Sequence, residues 1–387
     1  AGGSELNVAA GVSLLGLRTG VITRVPKNDI GIFVRERVRF EGVSDDFLLY
    51  DTSPEARLGI YYYEAGAAPR KTSIIYDRQN SSFTRISMDD IPEDIFKKAR
   101  MFHTSGITLA LCKNTRDVAI SLIKRFKEAG AMISFDINYR ANLWSEEEAR
   151  ETVTSIMPYI DVLFVSEETS RRMMQRTGDL EDIMRGYTKD YNVKVVCTTQ
   201  RTVISPKKHD FTSTIYSAKE DRFYKEKPYS DIDVIDRIGS GDAYVSGVLY
   251  GLLKYNDPMK ALQYGNASSS VKNTIPGDLP ASDLSEIDAV IRKMIQFMLA
   301  KEQIDRLPHG RVAAFVYRDL YPGVFGAVAQ VCVELAADEL EARLECAVGE
   351  LAASGEPGTR ANRRPGVGEP LVVRRACAKG EGVALPF

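Results

Sequence analysis

The chain has 387 residues, enough for one large domain or two, and its formal net charge of −2 gives no broad attraction to nucleic acid or to an anionic membrane surface. Its five cysteines (Cys112, Cys197, Cys332, Cys346 and Cys377) are scattered, with no Cys-x-x-Cys pair and no His/Cys group at zinc spacing. That pattern argues against a disulfide scaffold or zinc module and fits reduced thiols in a cytoplasm; no secretory signal opens the chain, and no apolar run is long enough to span a bilayer.

After Gly2-Gly3, apolar residues at Leu6, Ala9, Ala10, Leu14 and Leu15 have helical spacing and predict a helix from about Ser4, with a strand over 20–25 behind it. Two tyrosine-rich and β-branched runs, Ile60-Tyr61-Tyr62-Tyr63-Glu64 and Ser73-Ile74-Ile75-Tyr76-Asp77-Arg78, read as short strands of a hairpin or sheet edge. A strand precedes the glycine at 106; its His103 reads as a core histidine and is assigned no role. Val118, Leu122, Ile123 and Phe126 mark an amphipathic helix over 115–129. Met132 to Phe135 is a buried strand, Asp161 to Val165 another with Ser166-Glu167-Glu168-Thr169 at its end, and Val193 to Val196 a third that leads into Thr198 and Arg201. This alternation predicts an α/β fold with a central, mostly parallel sheet and helices on both faces. Ligands bind such sheets at the C-terminal ends of strands, which singles out the polar run Asp136-Ile137-Asn138-Tyr139-Arg140.

The stretch Asp236-Arg237-Ile238-Gly239-Ser240-Gly241-Asp242 opens a helix marked by Val245, Val248, Leu249 and Leu252. Closely spaced glycines let backbone approach a ligand, and a helix start offers free N–H groups and a positive dipole end to an anion. By itself this string also reads as a turn with Asp242 as a capping residue. Beside a bound phosphate, however, a carboxylate can take the proton of an attacking hydroxyl, which suggests phosphoryl transfer to an alcohol.

As a whole, DRIGSGDAY resembles the second signature of the ribokinase-like (PfkB) sugar kinases, D-x-x-G-A-G-D-A-F, with Ser240 and Tyr244 at the two departures. The opening GGSELN resembles the family's G-G-A-x-x-N-x-A. DINYRANLW closely resembles the 2-keto-3-deoxygluconate kinases of that family. The resemblance covers residues 1–296 and implies a ribokinase-like domain whose tyrosine-rich strands, within about 20–86, form a small β lid over the sugar. It implies ATP-dependent phosphorylation of 2-keto-3-deoxygluconate at its 6-hydroxyl, with ATP and Mg²⁺ as cofactors and Asp242 as base. The anion hole and ATP contacts would come from Gly239, Ser240, Gly241, Asn138, Arg140, Thr198, Arg201 and Asn266. Gly2, Gly3, Asn7, Tyr61, Tyr76, Arg78, Arg140, Asp242 and Asp278 would meet the sugar, the arginines by a two-pronged grip on its carboxylate. Glu167 and Glu168 would support magnesium through water, although Ser166 and Thr169 depart from the family's N-x-x-E. A fructose, ribose or nucleoside kinase, or a non-catalytic sugar-binding relic, are the alternatives.

The family places a strand ahead of the Gly-Gly motif. No such strand precedes Gly2, so the expectation is a sheet short of one strand, with folding and activity weakened accordingly. From about residue 297 the composition shifts to Ala, Val, Gly and Arg and matches nothing in the family; 335–351 has helical character, 354–370 reads as disordered, and the tail reads as misjoined. The partners expected are a small sugar acid and ATP, with no nucleic acid and no membrane, in a cytoplasmic enzyme compatible with a homo-oligomer.

Overall fold

The computed structural model describes residues 2–66 and 69–305; the helical and disordered stretches expected within 335–351 and 354–370 lie outside the described residues. Contacts along the chain separate Ala1–Lys301 from Glu302–Phe387, and the site described below belongs wholly to the first unit.

The helix expected from Ser4 runs Ser4–Leu14. Four short strands follow it: β1 (Thr19–Gly20), β2 (Thr23–Pro26), β3 (Val43–Ser44) and β4 (Leu48–Asp51), with β1 parallel to β3 and β2 parallel to β4. Strands β5 (Ile60–Glu64) and β6 (Ser73–Asp77) form the expected hairpin, in register Tyr61 to Tyr76 and Tyr63 to Ile74. Alternation along a strand then puts Tyr61, Tyr63, Ile74 and Tyr76 on one face, and all four line the cavity described below. This two-stranded sheet is the lid.

The main sheet comprises β7 (Met101–Ser105), β8 (Met132–Asp136), β9 (Val162–Phe164), β10 (Val195–Ser205), β11 (Lys208–Ser217), β12 (Arg222–Lys225) and β13 (Tyr229–Asp233). Its order is β12-β11-β10-β9-β8-β7, with β13 also paired to β11. From β7 to β10 the pairing is parallel, as the strand–helix alternation predicts. From β10 onwards it is antiparallel, so the sheet is mixed rather than mostly parallel. The reason is local: only Pro206 and Lys207 separate β10 from β11, too short a link for the crossover that parallel neighbours require.

Period-two alternation sorts the sheet's side chains into two cores. Val162, Phe164, Cys197 and Ile215 pack with the helices Ser4–Leu14, Ser240–Tyr255 and Pro258–Asn273. Leu163, Val196 and Tyr216 pack on the opposite face with the helices Lys113–Glu128, Glu146–Ile156 and Leu180–Tyr191. The helices after the signature approach closely because Gly247 and Gly251 face backbone atoms of the second helix. A Cβ at Gly247 would lie 2.3 Å from the Tyr264 carbonyl oxygen, and one at Gly251 would lie 2.4 Å from the Ala261 Cα.

A cavity of about 2110 Å³ opens beneath the lid. Residues 17–25 and 98–104 also line it, with Val8, Val12, Leu122 and Phe126 among its apolar walls. Among the described residues β7 pairs only with β8, and its residues Met101 to Thr104 line this cavity.

Candidate active site

The site forms where five segments meet: the start of the first helix, the lid, the end of β8, the signature turn and the loop that carries Asp278. Ser4 and Asn7 lie one helical turn apart and so share a face. Asn7 Nδ2 donates to Asp242 (Oδ2, 2.7 Å) and to Asp278 (Oδ1, 2.8 Å), while Ser4 Oγ donates to the other Asp242 oxygen at 2.8 Å. From the lid, the Tyr61 hydroxyl donates to Asp278 Oδ2 at 2.8 Å and the Tyr63 hydroxyl to Asp236 Oδ1 at 3.1 Å. Asp236 also ties two loops together, accepting from the N–H groups of Ile238 and Gly277, each at 3.0 Å.

The signature turn needs its first glycine for two reasons. Gly239 has φ +75°, in the left-handed region, and a Cβ there would lie 1.9 Å from the Asp278 carbonyl oxygen. The helix begins at Ser240 with Gly239 as its cap. Ser240 N–H bonds back to the Arg237 carbonyl at 3.3 Å, whereas the N–H groups of Gly239 and Gly241 have no partner among the described residues. A Cβ built on Gly241 meets nothing within 4 Å, so open space lies in front of the helix start. That space, a positive dipole end and free N–H donors suit an anion.

Residues 1–281 match the pfkB family of carbohydrate kinases. The chain is a pfkB family carbohydrate kinase. It is 34% identical over 290 residues to a 2-dehydro-3-deoxygalactonokinase of Haloferax volcanii, covering 75% of this chain and 87% of the relative. To a 5-dehydro-2-deoxygluconokinase of Listeria monocytogenes it is 26% identical over 294 residues, with 75% and 86% covered. Among solved structures, the 2-dehydro-3-deoxygluconokinase of Thermotoga maritima superposes with a TM-score of 0.71 at 32% identity, covering 75% of this chain and 89% of that one.

The kinase brings most of its sequence-predicted site residues to the one cavity: Gly2, Gly3, Asn7, Tyr61, Tyr76, Arg78, Asn138, Arg140, Gly239, Gly241, Asp242 and Asp278 all line it. Ser240 belongs to the same turn. The remainder lie elsewhere. Asn266 is fully buried, accepting from Ser213 Oγ at 2.6 Å and donating to Glu226 at 2.7 Å, so its amide is spent inside the core. Thr198 is buried in β10 and Arg201 is exposed farther along that strand; neither lines the cavity. Glu167 and Glu168 each pair with an arginine one turn on, Arg171 at 2.7 Å and Arg172 at 2.9 Å. Among the described residues no group of three or more His, Cys, Asp and Glu could hold a metal ion. Sequence reasoning gave no role to Ser4, Asp136, Asp236, Lys207 or Arg237, all of which reach the site or its cavity. Ser4, Asp136 and Asp236 stand inside the three recognisable motifs, which was the available signal.

Electrostatics sets the site's acid–base character. Burial pushes the Asp242 carboxyl up to about 7; the Asn7 and Ser4 hydrogen bonds pull the other way, and Asp136 and Asp278 add to the rise. Burial also raises Asp136 to about 7, opposed by the Asn138 N–H and Arg140 and assisted by Glu5. Burial holds Arg78 below its usual value, the Tyr76 ring opposes this, and the nearby Arg140 lowers it further. Arg78 lies over the Tyr76 ring, 4.3 Å from its centroid. Among the described residues neither Arg78 nor Arg140 is paired with a carboxylate. Two cations are thus held near one another on the cavity wall, neither of them in a salt bridge among the described residues.

A carboxylate whose folded-state pKa lies above its unfolded value binds the proton more tightly when folded, so its contribution to stability declines as pH rises between about 4 and 7. Asp242→Asn removes this penalty. The variant is expected to melt a few degrees above the parent at pH 8, roughly the gain usual when a strained active-site charge is neutralised, and to converge on it near pH 4. Melting curves of the ligand-free protein at the two pH values check this; a difference independent of pH would contradict the raised pKa.

Proposed function

We propose that this kinase transfers the γ-phosphoryl group of ATP to the 6-hydroxyl of 2-keto-3-deoxygluconate. The observation that carries the substrate class is the pair Arg78 and Arg140. Bringing two guanidinium groups together with neither in a salt bridge costs energy, and an anionic substrate recovers it by a charge-assisted, two-pronged interaction. A neutral sugar offers nothing to such a pair. The names of the relatives point the same way, since those from Haloferax, Listeria and Thermotoga are all kinases of keto-deoxy sugar acids.

In this reading Asn7, Asp278 and the lid residue Tyr61 hold the sugar hydroxyls. Asp242 accepts the proton of the attacking hydroxyl; a base whose pKa lies near 7 is matched to that task at neutral pH. The free N–H groups of Gly239 and Gly241 receive charge that develops on the transferring phosphoryl group. Lys207 and Arg237, on the same cavity, supply cations on the nucleotide side. Magnesium, when bound, neutralises phosphate charge. With Glu167 and Glu168 engaged by arginines and no group of three or more His, Cys, Asp or Glu able to hold a metal ion among the described residues, the nucleotide's phosphates would be its main ligands.

A coupled assay of ADP formation against keto-deoxy sugar acids and against fructose, ribose and nucleosides tests the proposal. The keto-deoxy acids are expected to lead in kcat/KM by at least ~10-fold, the lower scale of losing a charge-assisted contact. Equal turnover of neutral sugars would overturn it.

A further inference from the structure

The lid carries one residue, Tyr63, that the proposed reaction leaves without a role. Tyr61 and Tyr63 alternate along β5, so both reach the same side of the hairpin. Tyr61 donates to Asp278, which Asn7 also holds, and Tyr63 donates to Asp236 Oδ1 at 3.1 Å. Asp236 is buried and takes three donors, each from a different piece of chain. They are the Tyr63 hydroxyl of the lid, the Gly277 N–H of the loop that carries Asp278, and the Ile238 N–H of its own turn. The last is a side-chain bond to the N–H two residues on, which shapes a tight turn, and it leads straight into Gly239, Ser240 and Gly241. Among the described residues the Tyr61 and Tyr63 bonds are the only hydrogen bonds from the lid strands to the loops of the site. Strands β5 and β6 pair only with each other, and their outer face presents Tyr62 and Ile75, opposite one another and 58% and 64% exposed. A two-stranded hairpin is marginally stable by itself, so the seating of the lid depends on what its inner face holds.

We infer that Tyr63 is a positioning residue that couples the two substrates: its hydrogen bond to Asp236 ties the lid to the anion-binding turn, so that a sugar acid under the lid and a nucleotide at the turn tighten each other's binding. The inference rests on the proposed binding of a sugar acid beneath the lid. Arg78 directly follows β6 and lies over the Tyr76 ring, so an anion held by Arg78 holds that strand in place. Tyr63 pairs with Ile74 across the hairpin, so what seats β6 also seats β5. A seated β5 gives Asp236 its third donor, and Asp236 in turn shapes the start of the turn whose Gly239 and Gly241 N–H groups are free. Tyr61 offers no equivalent route, because Asp278 makes no hydrogen bond to the turn among the described residues. The lid is then a two-state element that both ligands bias. Linkage makes the effect reciprocal: nucleotide seats the lid by the same factor by which sugar acid tightens nucleotide.

The test measures Kd for ADP by calorimetry, with and without saturating 2-keto-3-deoxygluconate, in the full chain and in Y63F and Y61F. Phenylalanine keeps the ring and removes only the hydroxyl. In the parent the sugar acid is expected to tighten ADP binding by roughly 5–150-fold, the ordinary range of coupling between two sites. In Y63F that ratio is expected to fall to about one while Kd for ADP alone stays near the parental value; Y61F is expected to bind sugar acid less tightly and to keep the ratio. Hydrogen exchange of the lid amides, residues 60–64 and 73–77, gives a second readout that needs no sugar: ADP alone is expected to slow their exchange in the parent and not in Y63F. A parental ratio in Y63F, an equal loss in Y61F, or lid exchange in the parent that ADP leaves unchanged would overturn the inference. So would a Y63F that loses ADP affinity equally with and without sugar acid, or that fails to fold, since Tyr63 would then be a static support. A parent that does not bind the sugar acid while ADP still slows lid exchange would instead overturn the proposed substrate, so the two failures are distinguishable.

Discussion

Asp242→Asn is expected to bind sugar acid and nucleotide with near-parental affinity and to lose roughly 10²–10⁴-fold in kcat, the scale of general base catalysis. A sugar hydroxyl is a poor nucleophile at neutral pH and needs a proton acceptor within hydrogen-bond reach as it attacks. Asp242 stands at the first turn of the helix whose free N–H groups face open space, with both carboxylate oxygens fixed by Ser4 and Asn7. Asparagine preserves the shape and can keep one of those bonds, but it cannot take the proton. Crowding the anion space should fail differently. Gly241→Val puts methyl groups into the open space at the helix start and is expected to weaken nucleotide binding as well as turnover. Single-turnover measurements and calorimetric binding of ADP separate the effects. Near-parental kcat in Asp242→Asn would show that the base lies elsewhere.

Arg140→Ala is expected to raise KM for 2-keto-3-deoxygluconate by roughly 10–100-fold, corresponding to the ~1.5–3 kcal/mol of a lost charge-assisted hydrogen bond, with a smaller effect on kcat. Activity towards neutral sugars should hardly change. Arg78→Ala should behave alike but also disturb the lid, because Arg78 stacks on Tyr76, whose ring centroid lies 6.2 Å from that of Tyr61. If both arginines grip one carboxylate, the double variant loses less than the sum of the single losses, since either change breaks the same two-pronged contact. Parallel losses for acidic and neutral sugars would assign the arginines to the fold or the nucleotide rather than to the acid group.

The sequence by itself determined those features that arise from local chemistry. Hydrophobic spacing placed the first helix at Ser4 and the helix after the signature, and β-branched and aromatic runs placed the lid strands and β7 to β9. The glycines of the signature could be read because a left-handed turn at Gly239 and an open helix start at Gly241 leave little freedom in residue type. Arg78 and Arg140 were legible as candidates because each stands inside a motif or lid run.

What only the tertiary structure decided depends on pairings distant in sequence. The antiparallel half of the sheet was illegible because β10 to β13 carry no helical spacers and their direction is set by the tight link at Pro206 and Lys207. The resemblance gives Asn266 as a nucleotide contact, and the fold buries it against Ser213 and Glu226; Glu167 and Glu168 read as free carboxylates until Arg171 and Arg172 come round one helical turn. Lys272 looks in sequence like any lysine near a helix end; only the fold buries it, with its ammonium on the Ile275 carbonyl at the head of the loop that carries Asp278. The raised pKa of Asp242 arises in the same way. Its cause is burial together with Asp136 and Asp278, which lie 106 and 36 residues away along the chain, and a local pattern cannot carry a field summed over such distances.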